Sequence, residues 1–451
     1  MTAAPATTIA PPPQAGAAPR THWRSFDLLR GLAAVLMVVN HVGYMLTAKD
    51  ALPRVHADSD AGVVFSTPLQ WAVLLGAFAP AAFFFVTGLG YGIQSGRTKP
   101  KRFVDLTEKV LILLLADALM WRTAGFDFGL DFFGFIALSM LVLTALLKLD
   151  ARTNHTDATP RRLTRSARAA GVLLFAVLGL RFVAGPAAER LLGMEPGGWL
   201  DVVTGRNVPG GGGPGAVAER APGAWDVGIS FPPIPWLVFP LAGFVLGAWL
   251  KARRAWVESH RGGFALFLLA GAGVCVAGVA LLLWRGGVLH RWGTISVASV
   301  LGGFAVLAAL TALAVFVEER TGGGRRVVDA LSLRGIAAFS VVPLHFLLIG
   351  LATLAGLRPQ TAVGITLAIA TILIVVMLIA PRFVPLGKAV AQAASRGGAW
   401  RYWLAGLAVP VALLLAVTPG SVGDPALRRV IVASGQLVLC VMLVLPPPRT
   451  R

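Results

Sequence analysis

Charge is scarce in this chain, and most of what there is carries one sign. Of 451 residues only 14% are Asp, Glu, Lys or Arg, against 56% hydrophobic, and 21 acidic side chains stand against 40 basic ones. So few ionisable groups cannot cover a water-soluble globule of this size, which excludes the soluble enzyme classes. Cysteine is rarer still. Cys275 and Cys440 both lie inside apolar runs with no metal-ligand spacing, so neither a disulfide framework nor a zinc centre is supported. The first twenty residues, Ala-, Pro- and Thr-rich, lack the apolar core of a signal peptide and read as a disordered tail.

What the chain has instead is long apolar runs and a mean hydropathy of +0.75. Runs of about 18 to 23 residues match a hydrocarbon core of roughly 30 Å. About twelve are legible (ten to twelve), centred near Leu36, Phe83, Leu113, Ala137, Phe175, Ala242, Val274, Phe304, Val342, Ala370, Val411 and Leu437. The expected fold is therefore all-α, a polytopic membrane helical bundle. With the N-terminus in the cytoplasm, cytoplasmic segments hold about 25 Lys and Arg and external ones about 11, so both ends belong inside a cell inner or plasma membrane. The same bias accounts for the net charge of +19 without any nucleic acid. The expected organisation is a cytoplasmic tail at 1–24, one membrane domain at 25–446 and a short tail at 447–451. Within that domain, the Gly- and Pro-rich stretch at 185–231 forms a long external loop or lid. Trp236, after Pro232, Pro233 and Pro235, is expected in the headgroup belt. The glycines of VTGLGYGIQSG on the second span are expected to permit close helix packing.

An ionisable side chain within a span costs a few kcal/mol or more unless it is paired or faces a polar cavity. The first span, RSFDLLRGLAAVLMVVNHVGYM, holds three of them, Asp27, Arg30 and His41. At 100° per residue, Arg30 and His41 differ in azimuth by about 20°, and Asp27 lies within about 60° of both. One helix stripe thus joins the cytoplasmic mouth to a titratable ring about 16 Å deeper. Asn40 points elsewhere, toward an interhelical hydrogen bond. Asp117 and Asp131, near the external ends of the third and fourth spans, read as interfacial residues reaching for water.

The ninth span repeats the pattern. LRGIAAFSVVPLH at 333–345 matches LRGLAAVLMVVNH at 29–41 at seven of thirteen positions, with the same Arg-to-His spacing in Arg334 and His345. Apolar matches are cheap in membrane helices, whereas Arg-Gly and His are not. Either a cavity lined from two sides or a coincidence satisfies the pattern.

The stretch RSFDLLRGLAAVLMVVNH, with FFFVTGLGY on the second span, FFGFIALSM on the fourth and FPPIPWLVFPLAGFVLG on the sixth, resembles the bacterial branch of heparan-alpha-glucosaminide N-acetyltransferase-like membrane proteins. Acyltransferase family 3 shares the first motif more loosely, and its string is cleaner at the ninth span. The likeness runs in order through about the first 250 residues. It departs at Ala137 and Leu138, where such proteins usually carry Gln or another polar residue.

The resemblance implies a bundle that takes acetyl-CoA or another acyl-CoA from the cytoplasm and passes the acyl group to a hydroxyl or amine on the other side. The deep catalytic residue would fall on His41, supported by Asp27 and Arg30, with His345 and Arg334 as a second site group. Acyl transfer needs a base or nucleophile, which a neutral imidazole supplies. Arg24, Lys99, Lys101 and Arg102 would meet the phosphates of the donor. The expected partners are acyl-CoA, a sugar or glycan acceptor of the envelope, and the bilayer, with a homodimer left open. A proton-coupled transporter or flippase using the same Asp, Arg and His residues is the rival reading.

Overall fold

The computed structural model describes residues 23–46, 68–95, 103–124, 128–151, 163–184, 227–286, 296–321, 326–416 and 422–445. Residues 1–22 of the expected N-terminal tail, the C-terminal tail, most of the 185–231 loop, and Lys99, Lys101 and Arg102 lie outside these residues, whereas Arg24, expected in the tail, opens α1.

The helices are α1 (Arg24–Met45), α2 (Pro68–Gly76), α3 (Ala79–Gly92), α4 (Phe103–Ala124), α5 (Phe132–Ala151) and α6 (Arg165–Gly179, continued by a π turn at Leu180–Ala184). Next come α7 (Pro233–Trp236), α8 (Val238–Ala252), α9 (Arg254–Ser259), α10 (Arg261–Trp284), α11 (Val297–Thr321) and α12 (Arg326–Leu331). The last are α13 (Ile336–Leu354), α14 (Ala362–Ile379), α15 (Phe383–Gly397), α16 (Ala399–Ala416) and α17 (Pro425–Met442). Eleven helical stretches among the described residues are long and apolar enough to cross a bilayer. Helix α4 adds a twelfth of sufficient length, 22 residues or about 33 Å, although Asp105, Glu108, Lys109, Asp117 and Arg122 lower its hydropathy. The chain is thus an all-α polytopic bundle of the expected size.

Large apolar side chains on its outside settle its solvent. Phe175, Val274, Leu367 and Leu415 are each more than half exposed. In water such a belt would drive aggregation; in lipid it is the natural outer surface. Helix α10 is the extreme case, packing chiefly on α11 and turning Leu266, Phe267 and Trp284 outward.

The tightest crossing joins α3 to α8, and glycine makes it. A Cβ on Gly88 or Gly92 would collide with the carbonyl oxygens of Pro240 and Phe244, and one on Gly243 or Gly247 with those of Phe85 and Leu89. Two Gly-x-x-x-Gly faces therefore bring backbone onto backbone, the packing mode membrane helices use in place of the hydrophobic effect. Trp236 departs from the headgroup position expected of it. It is 2% exposed and packs among Phe84, Phe231 and Phe239, because the short α7 turns it inward.

The one sheet among the described residues pairs β1 (Phe128–Leu130) in parallel with β2 (Val227–Ile229), Phe128 opposite Val227. It ties the end of the 185–231 loop to the start of α5, and Phe231 just beyond it is buried. At the other end of the bundle, α14 bends through Ala380–Arg382 into α15. Gly387 on α15 packs between Ile336, the first residue of α13, and Val444, just beyond α17.

Candidate functional site

The two repeated motifs meet, and they meet at both ends. Asp27, on the first turn of α1, is 1% exposed and lies between two guanidinium groups. Arg30 Nη1 donates to its Oδ1 at 2.7 Å and Arg334 Nε to its Oδ2 at 3.0 Å. The Leu333 amide also donates to the Asp27 carbonyl at 3.2 Å. One carboxylate thus holds two arginines, leaving the group a net charge of +1.

Further along the same helices, His41 Nδ1 and His345 Nε2 are 2.7 Å apart. The rings lie 11° from parallel with centroids 4.9 Å apart, and Phe346 stacks on His41 at 4.9 Å. Because Asp27 meets Arg334 while His41 meets His345, α1 and the 334–345 segment run in the same direction, as the topology requires. The sequence pattern alone left this meeting undecided.

The backbones differ between the copies. Arg30 and Gly31 sit inside α1, whereas Arg334 precedes α13 and Gly335 forms its N-cap at φ +52°. Arg334 is therefore not on the ninth span, as its sequence position suggested, but on the turn leading into it. That turn exists because only glycine takes a positive φ without strain. Gly31 makes the turn's approach possible, since a Cβ there would strike the Leu331 carbonyl.

With both rings neutral, the hydrogen-bond chain sets the tautomers of the histidines. His345 is fully buried, and its Nδ1 lies 2.7 Å from the Val341 carbonyl, an acceptor that only an N–H can satisfy. With both rings neutral, His345 Nε2 is then an acceptor and His41 Nδ1 the donor to it. In this tautomer Nε2 is the unprotonated nitrogen of His41, on a ring that is only partly buried. A base whose second nitrogen is held by a buried partner is the arrangement general-base chemistry uses.

The remaining predicted residues fall as follows. Arg24 makes an ion pair with Asp329, so a phosphate there would compete with a carboxylate. Asn40 donates to the Val73 carbonyl on α2 at 2.7 Å, the interhelical bond expected of it. Asp117 does not reach for water: it is 2% exposed and accepts the Asp131 amide at 2.7 Å and those of Phe133 and Gly134. It caps α5, satisfying donors that a helix start leaves open. Asp131 in turn is bonded to Ser230.

Sequence reasoning missed Glu318, which accepts the Ser25 amide at 2.9 Å and so anchors the start of α1, which has no side-chain cap of its own. Its place at the last turns of an apolar helix was the only signal. A cavity of about 250 Å³ opens beside it, lined by Trp23, Ser25, Glu258, Arg261 and Glu318. It lies at the Asp27 end of the bundle, away from the histidines. Among the described residues no group of three or more His, Cys, Asp or Glu side chains could hold a metal.

The chain matches no protein-family model and no curated protein.

Proposed function

We propose that the protein is a membrane-bound acyltransferase of a cell inner or plasma membrane with both termini in the cytoplasm. It takes an acyl group from cytoplasmic acyl-CoA and delivers it to a hydroxyl or amine of an envelope or exported sugar-like acceptor. The observation that carries this reading is the 2.7 Å bond between His41 and His345, which holds the His41 ring against a buried partner in a sequence-repeated pair. In the reaction, His41 Nε2 takes the proton of the acceptor O–H or N–H as the acceptor atom bonds to the thioester carbonyl carbon. The C–S bond then breaks, and the leaving thiolate takes the proton back from the imidazolium. His345 touches no reacting atom in this scheme; it is a positioning residue.

The scale fits. Eleven residues of helix separate Arg30 from His41, a rise of about 16 Å, against a pantetheine arm of roughly 20 Å. The positive Asp27–Arg30–Arg334 group lies at the end where phosphates would enter.

A transporter that uses the same residues as a proton relay is favoured by one feature, the parallel duplication of the motif. The two readings separate in sealed vesicles. The acyltransferase releases free coenzyme A thiol from acetyl-CoA only when His41 is present, without need of a proton gradient. Gradient-driven flux of solute with no thiol release would overturn it.

A further inference from the structure

Helix α3 carries three glycines, and packing explains two of them. Gly88 and Gly92 are fixed by the crossing with α8, where any side chain would strike a carbonyl. Gly90 is not: a Cβ there would find Arg30 Nη2 at 4.0 Å and nothing closer. Thr87 and Gly90 lie one turn apart on α3, and Gln94 follows in the turn just beyond it. Thr87 and Gln94 turn their donors to the Phe83 and Gly90 carbonyls of their own helix, both at 2.9 Å. Gly90 therefore faces Arg30 with no side chain between them.

Arg30 is itself only partly engaged. Asp27 takes Nη1 of Arg30 and Nε of Arg334, which leaves Nη2 of the first and both terminal nitrogens of the second as N–H donors held in place by a buried carboxylate. Side-chain exposure is 27% for Arg30 and 61% for Arg334, so both donors can be reached. Nearby, Arg24 pairs with Asp329, and Glu318 accepts from Ser25 and lies 3.9 Å from Arg261.

From these observations we infer that Asp27, Arg30 and Arg334 form an anion cradle for a phosphate or diphosphate group, with the missing side chain of Gly90 leaving room for it. Planar guanidinium forks suit phosphate oxygens, and a single carboxylate that orients two of them preserves a net positive site. This deepens the acyltransferase reading, on which the identity of the anion as the coenzyme A diphosphate rests. The cradle then stands about 16 Å from His41, measured along the helix, close to the reach of the arm that joins diphosphate to thioester.

The test measures thermal protection of the purified protein in lipid nanodiscs by coenzyme A, by inorganic pyrophosphate and by pantetheine, which has no phosphate. Wild type is expected to be protected by the first two and not by the third. Arg334→Gln and Gly90→Leu should weaken both protective ligands by roughly tenfold or more, the loss of a charge-assisted contact. Gly90→Ala, with room for its methyl, should keep protection, and His41→Ala should bind as wild type. Undiminished protection in Arg334→Gln and Gly90→Leu overturns the cradle while leaving the acyltransferase reading in place. Cradle-dependent pyrophosphate binding without any acyl transfer upholds the cradle and removes that reading. A wild type protected by neither phosphate ligand removes the cradle as well.

Discussion

Asp27 allows the joined motifs to be tested without any assumption about function. It is 1% exposed, so Asp27→Asn removes a buried negative charge that two arginines share and leaves both cations beside an amide. The two bonds are unequal. Breaking a buried pair by removing one partner costs about 3–5 kcal/mol, and Arg30, mostly covered and bonded at 2.7 Å, belongs near the lower part of that range. Arg334 is 61% exposed, so its bond is screened and contributes about 0.5–1 kcal/mol. The expected order of destabilisation is therefore Asp27→Asn and Arg30→Gln together, at about 3 kcal/mol, well above Arg334→Gln. Denaturant unfolding of the three variants in mixed micelles, at matched detergent, measures it. A double-mutant cycle between Asp27→Asn and Arg334→Gln should give a coupling below about 1 kcal/mol. Equal losses for Arg30→Gln and Arg334→Gln, or an Asp27→Asn variant as stable as wild type, would refute the reasoning.

Three other outcomes follow from the geometry. His345→Ala should lower kcat for acyl transfer by about 10–100-fold with KM nearly unchanged, and His345→Gln, whose side-chain oxygen can accept from His41 Nδ1, should recover most of it; equal loss in both variants would exclude a positioning role. Gly243→Ala puts a methyl against the Phe85 carbonyl and should cost about 1–3 kcal/mol in unfolding experiments, whereas Gly262→Ala on α10, with nothing within 4 Å, should be neutral or slightly stabilising. Asp117→Ala strips the acceptor from three amides and should destabilise by about 3 kcal/mol, with hydrogen exchange rising first at Phe133 and Gly134.

Much of the architecture could be read from the sequence because span length and charge scarcity are one-dimensional properties. So could the role of Asn40, since a lone amide off the polar stripe of a membrane helix needs a partner on a neighbouring one. What hydropathy does not carry is direction around the helix in three dimensions. Trp236 was placed in the headgroup belt because indoles collect there, yet a short turn of helix points it into an aromatic core. Asp117 looked interfacial because it sits near a span end; its role as a cap depends on α5 beginning beside it, which only tertiary packing decides. The Arg-Gly and His repeat was visible, but not that Gly335 breaks the second helix and so lets Arg334 swing onto Asp27. Nor does the sequence show that Gly90 lies open beside Arg30, because that closeness depends on how α1 and α3 pack.

The central claim is that His41 carries acyl transfer across the bundle. It is tested most directly by following radiolabel from acetyl-CoA into envelope material in membrane vesicles that hold equal amounts of wild type, His41→Ala and His345→Gln. The account predicts labelling by wild type, most of it kept in His345→Gln, and none above background in His41→Ala. Labelling that persists without His41, or a wild type that transfers no label from acetyl-CoA or longer acyl donors, would contradict it.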